Sequence, residues 1–131
     1  MQRELAVLLR VHDRPSITAI QTRLKSRART LRVRAPSRAS IYNFIPRCPP
    51  HQYAIAGLPE SVRASLYNLG PTGRISGPHV VFYVFQYGEL RAITFASGLP
   101  WIDLYLADRM RGWRTHSHGL LRAVLRHRNI V

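Results

Sequence analysis

Four residues between positions 37 and 43 carry side chains suited to nucleic-acid recognition. Ser37, Arg38, Ser40 and Asn43 are short or forked hydrogen-bond donors. Arginine forms paired hydrogen bonds with phosphate and with guanine, and short polar side chains suit base edges and phosphates. Tyr42 lies among them and is placed for a phosphate contact. This spacing predicts a short surface that reads bases and contacts the nucleic-acid backbone.

Groups that could perform catalysis or bind metal are sparse in comparison. His116 and His118 are two residues apart, but no carboxylate lies nearby in the sequence to complete a metal site. Asp103 and Asp108 are separated by about 140° around a helix and do not form a pair of acid groups. Cys48, the single cysteine, has no adjacent histidine–carboxylate arrangement and excludes an intrachain disulfide. We expect no enzyme activity, no cofactor and no metal ion.

The net charge points to a polyanionic partner. The chain has 131 residues and a formal net charge of +14. Nineteen of its twenty basic residues are arginines, which indicates either selection for phosphate and guanine contacts or the codon bias of a GC-rich genome. Residues 1–47 hold eleven basic and two acidic residues, a net charge of +9, and residues 48–131 hold +5. The excess therefore lies in the first third of the chain.

Three short helices are predicted in this basic segment. Apolar residues at three- and four-residue spacing predict helices over 2–12 and from 17 to about 27. A third helix, over 37–45, has Ser37 as its N-cap and places Ile41 and Phe44 inward. Residues 27–34 fit either a short strand or extended connector, or a solvated continuation of the second helix.

The stretch from Pro36 to Ile45 resembles the recognition helix of helix-turn-helix regulators, in which a similar Ser-Arg-Ala-containing sequence opens the helix that enters the major groove. The resemblance covers residues 2–47, and a winged variant would extend to Ala56. It implies that helix 37–45 reads duplex DNA. The connection between the second and third helices is longer than the usual tight turn.

The connector over residues 27–34 is itself basic. We expect it to contact backbone phosphates and to supply affinity that does not depend on the DNA sequence. The alternative is an ordinary solvated run of charges. The predicted DNA-binding residues are Ser37, Arg38, Ser40, Tyr42, Asn43, Arg27, Arg29, Arg32, Arg34 and Arg47.

Residues 57–131 predict a second, smaller module. Runs of β-branched and aromatic residues over 79–86 and 89–96 predict a β-hairpin, followed by helices over 101–110 and 119–127. The aromatic side chains of the hairpin either stack on single-stranded bases or pack in a core. The arrangement of a winged helix joined to a second domain is similar in layout to that of regulators and abortive-infection-type antitoxins. This module would serve dimerisation or a protein partner.

Together these features predict an α+β protein with a three-helix helix-turn-helix domain, in its plain or its winged form, at 1–56 and a dimerisation or partner-binding module at 57–131. We expect a sequence-specific regulator that binds double-stranded DNA, most simply as a homodimer. The alternative is an RNA-binding or structural basic protein. No apolar run reaches the length of a membrane span, which predicts a cytoplasmic, nucleoid-associated protein without membrane contact.

Overall fold

The computed structural model describes residues 1–66, 69–70 and 72–131. Within them the chain forms eight α-helices and one antiparallel pair of short strands. The elements are α1 (Gln2–Leu9), α2 (Ile17–Leu31), α3 (Arg38–Phe44), β1 (Gln52–Ala54), α4 (Glu60–Ser65), β2 (Arg74–Ser76), α5 (Gly77–Tyr87), α6 (Leu90–Ser97), α7 (Trp101–Asp108) and α8 (Thr115–His127). None of the described helices is both long and apolar enough to span a lipid bilayer.

The first two helices form an antiparallel pair. The buried side of α2 consists of Ile17, Ile20, Leu24 and Ala28, at spacings of three and four residues. Leu5 and Leu9 of α1 pack into the same core. Glu4, near the start of α1, accepts a hydrogen bond from Arg27 near the end of α2. The two chain directions are therefore opposed.

The second helix is longer than the apolar pattern predicts: it runs to Leu31, whereas the pattern predicts an end at about Arg27. Of the two interpretations of residues 27–34, the helical continuation is correct as far as Leu31. Arg32 then adopts a left-handed conformation, with φ 56° and ψ 41°, and its N–H bonds the last turn of α2. Such a residue is a common C-terminal stop for a helix. An extended connector follows and leads to α3.

The two strands join parts of the chain that are distant in sequence. Tyr53 of β1 lies opposite Ile75 of β2 in an antiparallel register. The segment leading to Ala56 thus contains a short strand over 52–54, and residues 55–57 form a 3₁₀ turn. Since β1 and β2 are twenty residues apart, their pairing cannot be identified from the local sequence.

The predicted β-hairpin over 79–96 is wrong, because these residues form α5 and α6. Ser76 caps α5 by accepting a hydrogen bond from the His79 N–H, and Pro78 occupies the first turn, where proline is favoured. Buried residues recur around most of α5: Val80, Val81, Val84 and Phe85. A short, continuously apolar segment has no clear period, so a buried helix and a buried strand look alike.

Helix α5 lies at the centre of the fold and packs against α4, α6, α7 and α8. The two predicted C-terminal helices are present, the first ending at Asp108 and the second beginning at Thr115. Fully buried Trp101 connects this region to the first helix, since its Nε1 donates to the Leu9 carbonyl at 2.7 Å. Its backbone N–H also donates to the His12 carbonyl at 2.8 Å. One continuous hydrophobic core therefore contains residues of both chain halves.

These findings confirm the α+β class. They correct the predicted secondary structure of the second half of the chain, which is mostly helical.

Candidate nucleic-acid interface

Helix α3 begins at a well-formed cap. The Ser37 Oγ accepts a hydrogen bond from the Ser40 N–H at 3.1 Å, and the two serine hydroxyls are 3.0 Å apart. The helix is anchored by buried Ile41 and Phe44. Ser37 thus positions the helix through its side chain, in addition to being exposed at its start.

Arg38 bridges α3 and α2. Its Nη1 donates to the Thr18 Oγ1 at 2.9 Å, and its guanidinium lies 5.7 Å from the centre of the Tyr42 ring. These contacts hold an exposed guanidinium in one place while most of its N–H donors remain directed to solvent. A held arginine loses less freedom when it binds a partner.

The contact between Arg38 and Thr18 fixes the path of the connector. Thr18 precedes Leu31 by thirteen residues, which is about 20 Å along a helix. Since Arg38 reaches Thr18, residues 32–37 run back along α2 instead of turning tightly at its end. This is the physical consequence of the long connection noted in the sequence, and it differs from a tight helix-turn-helix.

The outward side of α3 presents Tyr42 and Asn43. Both residues are exposed, and Tyr42 retains 42% of its accessible area. In the described part of the chain no hydrogen bond to the Asn43 side chain is found, so its amide is available to a ligand.

One edge of α2 continues this surface. Thr18, Thr22, Lys25 and Arg29 follow at four- and three-residue spacing and are all exposed. Because residues at such spacing lie on one side of a helix, this row shares the edge that Arg38 contacts through Thr18. Arg29 is in the predicted DNA-binding set, whereas Thr18, Thr22 and Lys25, on the same edge, are not. Their spacing relative to Arg29 is the signal that would have placed them on this edge.

Arg27 does not lie on this edge. It faces α1, where its Nε donates to the Glu4 Oε1 at 3.0 Å. Two residues along a helix turn the side chain by about 200°, so Arg27 and Arg29 point to opposite sides. The predicted set is therefore divided between two surfaces.

The remaining predicted arginines lie outside the helices. Arg32 and Arg34 are exposed on the connector, and Arg47 is exposed at the end of the 3₁₀ turn that follows α3. Among the basic residues at positions 1–47, Arg27 is the one for which a carboxylate within 4.0 Å is found in the described residues. The edge formed by α2, the connector and α3 thus carries uncompensated positive charge.

A separate cluster of polar groups surrounds Asp103, which is fully buried at the start of α7. The Tyr53 hydroxyl donates to its Oδ2 at 3.1 Å, and the His51 N–H donates to its Oδ1 at 3.3 Å. The His51 ring lies 3.4 Å from the same oxygen. Burial raises the pKa of Asp103, partly opposed by His51 and Tyr53, and burial also raises the pKa of the Tyr53 hydroxyl. Sequence spacing did not predict this cluster, because its members are fifty residues apart.

Cys48 lies close enough to this cluster for the charge of Asp103 to contribute to the raised pKa of its thiol, but it has the properties of a core residue. Its thiol is buried, and burial raises its pKa, with Arg10 opposing this effect. A thiol with a raised pKa is a poor nucleophile because it carries little thiolate at neutral pH. His118, considered above for metal binding, stacks on Trp113 and lies 2.7 Å from Asp108. In the described residues no three His, Cys, Asp or Glu side chains form a group that could hold a metal ion.

Comparisons with protein-family models, with curated proteins and with solved structures find no match for this chain.

Proposed function

We propose that this chain binds double-stranded DNA through the edge formed by α2, the connector and α3, and acts as a sequence-specific regulator without enzyme activity. The observation that carries the proposal is the row of exposed hydroxyl, amide and cationic side chains on this edge. Asn43 and Arg38 can reach base edges, and Lys25 and Arg29 can reach phosphates.

A duplex suits this surface better than a single strand. Single strands are held by aromatic side chains on which successive bases stack. In the described part of residues 1–56, Tyr42 is the one exposed tyrosine, and its ring is already covered on one side by Arg38. A surface dominated by cations and short polar groups, with a single aromatic ring, favours the backbone and groove of a duplex.

In this proposal α3 has the role of a recognition helix, and β1 with β2 follows it where a wing follows in winged helix-turn-helix proteins. The long connector distinguishes the arrangement from the tight form. A homodimer, assembled through residues 57–131, would place two recognition helices on one site and supply the specificity that a single short helix lacks. Cytoplasmic, nucleoid-associated localisation belongs to the same proposal.

Fluorescence anisotropy tests the proposal. A duplex site selected from a random pool is compared with random duplex, single-stranded DNA and a structured RNA across a salt series. We expect a steep fall in affinity with salt and a preference for the selected duplex that survives at the highest salt. Equal binding to all polyanions that vanishes at moderate salt would refute the specific regulator and favour the alternative, a general RNA-binding or structural basic protein.

A matched control separates this edge from net charge alone. Arg29→Ala and Arg91→Ala remove the same charge, but Arg91 is exposed on α6, which packs mainly against α4 and α5. We expect Arg29→Ala to weaken duplex binding several times more than Arg91→Ala. Equal effects would place the interface elsewhere.

A further inference from the structure

A groove between α1 and α2 lies on the other side of α2 from the proposed DNA-binding edge. It has a volume of about 520 Å³ and is open to solvent along both helices. Half-buried Leu8 and buried Leu24 form its floor, Val7 lies at its solvent side, and Arg3, Arg23 and Arg27 line its rim. The groove is thus apolar within and basic around.

The apolar part of the groove is incompletely covered by this chain. Val7 keeps 70% of its accessible area exposed. Leu8, beside it, is half-buried. The exposed side chain of Val7 lacks the stabilisation that burial of apolar surface provides. A further element lying along the groove would cover it.

The charge of the rim selects the kind of partner. Within the described residues Arg3 and Arg23 have no carboxylate within 4.0 Å, and Arg27 is held by Glu4 through Nε alone. Three guanidinium groups against one carboxylate leave the groove positive. Acidic side chains flanking an apolar stripe match this arrangement, since they pair with the rim while the stripe fills the floor.

The shape of the groove favours a helix as the occupant. Arg23 and Thr30, at its two ends on α2, are seven residues apart, which is about 10 Å or two helical turns. Two antiparallel helices with a groove between them accept a third helix at the usual interaxial distance of about 8–10 Å. Apolar residues at three- and four-residue spacing on that helix would meet Val7, Leu8 and Leu24.

A second copy of this chain is a poor occupant. Its net charge is +14, and it has six acidic residues in all. One of these, Asp103, is fully buried, and Asp108 is paired with His118 and Arg122. A rigid duplex is also unsuited, because it has no apolar stripe to cover Val7.

We propose that the groove between α1 and α2 binds an acidic amphipathic helix of another protein. Arg23 and Lys25 are two residues apart on α2, so the directions of their side chains differ by about 200° around the helix axis. The helix partner and the DNA duplex therefore contact opposite sides of α2 and bind together. Binding of the helix partner does not depend on the DNA-binding function, whereas its simultaneous binding with a duplex rests on that proposed function.

A synthetic peptide tests this inference. The probe is a fluorescein-labelled 16-residue peptide with leucine at helical spacing and glutamate on both flanks; a scrambled peptide of the same composition serves as the reference. We expect the amphipathic peptide to bind about tenfold or more tightly than the scrambled one, a difference that corresponds to about 1.4 kcal/mol. Equal binding of the two peptides overturns the proposal, since net charge alone would then explain it.

Variants locate the binding. Val7→Asp should weaken the amphipathic peptide about tenfold, whereas Val131→Asp, at an exposed valine outside the groove, should not. Since both valines are exposed, neither change is expected to unfold the chain. Arg23→Glu should weaken the peptide, and Lys25→Glu should leave it unchanged while weakening duplex binding. Peptide binding that follows Lys25 instead of Val7 and Arg23 overturns the proposal.

Methyl NMR supplies a direct map. On addition of the amphipathic peptide, the methyl signals of Val7, Leu8 and Leu24 should shift, and those of Val131 should not. Shifts confined to other methyl groups overturn the proposal. Duplex anisotropy recorded with and without peptide shows whether both bind together, and loss of duplex binding in that control would disprove the opposite-side arrangement.

Discussion

The carboxylate of Asp103 occupies the space where a side chain at Gly77 would begin. A Cβ atom built on Gly77 would lie 2.2 Å from the Asp103 Cγ and 2.3 Å from its Oδ2. The Gly77 N–H donates to the His51 carbonyl at 2.8 Å, so the first residue of α5 is fixed from two sides. The buried carboxylate therefore lies against the N-terminal turn of α5, where the helix dipole favours negative charge.

This relationship predicts opposite effects of two glycine substitutions. Gly77→Ala should destabilise the protein by about 1–3 kcal/mol, because the methyl group overlaps a carboxylate that cannot move within the core. Gly119→Ala is the control, since Gly119 lies within α8 with nothing within 4 Å of its Cβ position. It should stabilise by about 0.5–1 kcal/mol. Urea unfolding of both variants measures the difference, and a neutral Gly77→Ala would contradict the close approach.

The burial of Asp103 predicts a dependence of stability on pH. Because its pKa is raised in the folded protein, the fold binds the Asp103 proton more tightly than the unfolded chain does. Its contribution to stability is therefore fully present below the ordinary pKa of 3.8 and is lost as pH rises through the raised value. Asp103→Asn removes this titration. The variant should gain stability relative to the wild type as pH rises from about 4.

Urea midpoints at a series of pH values test this sign. The His51 ring lies 3.4 Å from the Asp103 Oδ1, so His51→Gln is measured in parallel to separate its effect. A difference between Asp103→Asn and wild type that does not change with pH would show that Asp103 does not titrate abnormally.

The base-reading role of α3 predicts a loss of sequence preference. Asn43→Ala should reduce the preference for the selected duplex by about 1–3 kcal/mol while leaving binding to random duplex nearly unchanged. Arg38→Ala should have the same effect, with a small loss of stability because its bond to Thr18 is broken. Competition binding at fixed salt measures the preference. Uniform weakening on every duplex would remove Asn43 and Arg38 from the base-reading surface.

The connector predicts the complementary behaviour. Arg32→Ala should weaken selected and random duplexes alike and lower the salt slope by about one. The physical reason is that a phosphate contact releases counterions but carries no sequence information. Salt titrations of both duplexes decide the matter, and a change in preference without a change in slope would assign Arg32 to base recognition.

The cap of α3 predicts that stability and DNA binding can be separated at one residue. Ser37→Ala should destabilise by about 1 kcal/mol, because the Ser40 N–H loses its acceptor. Ser37→Asp should retain the cap, since aspartate caps helices well, yet weaken duplex binding by repelling phosphate. Thermal melts and anisotropy on the same samples compare the two. Full DNA affinity in Ser37→Asp would place the duplex away from the start of α3.

The helices in the first part of the chain could be predicted from the sequence, because the signals that specify them are local. Apolar spacing located α1 and α2, and the Ser37 cap located the start of α3. These signals act between neighbours a few residues apart, so they do not need the rest of the chain. The excess of charge in residues 1–47 is equally a property of the sequence.

Contacts between distant residues decided the rest. The run from Val80 to Phe85 is compatible with a strand or a helix, and burial on several sides by α4, α6, α7 and α8 selects the helix. The Asp103 cluster exists because β1 and α7 meet across fifty residues. Arg27 and Arg29 have the same side chain. The position of α1 nevertheless pairs Arg27 with Glu4 and leaves Arg29 exposed without that partner. The amount and location of positive charge were determined by the sequence, whereas the tertiary structure decided which side of α2 each cation occupies, because that depends on where the other helices pack.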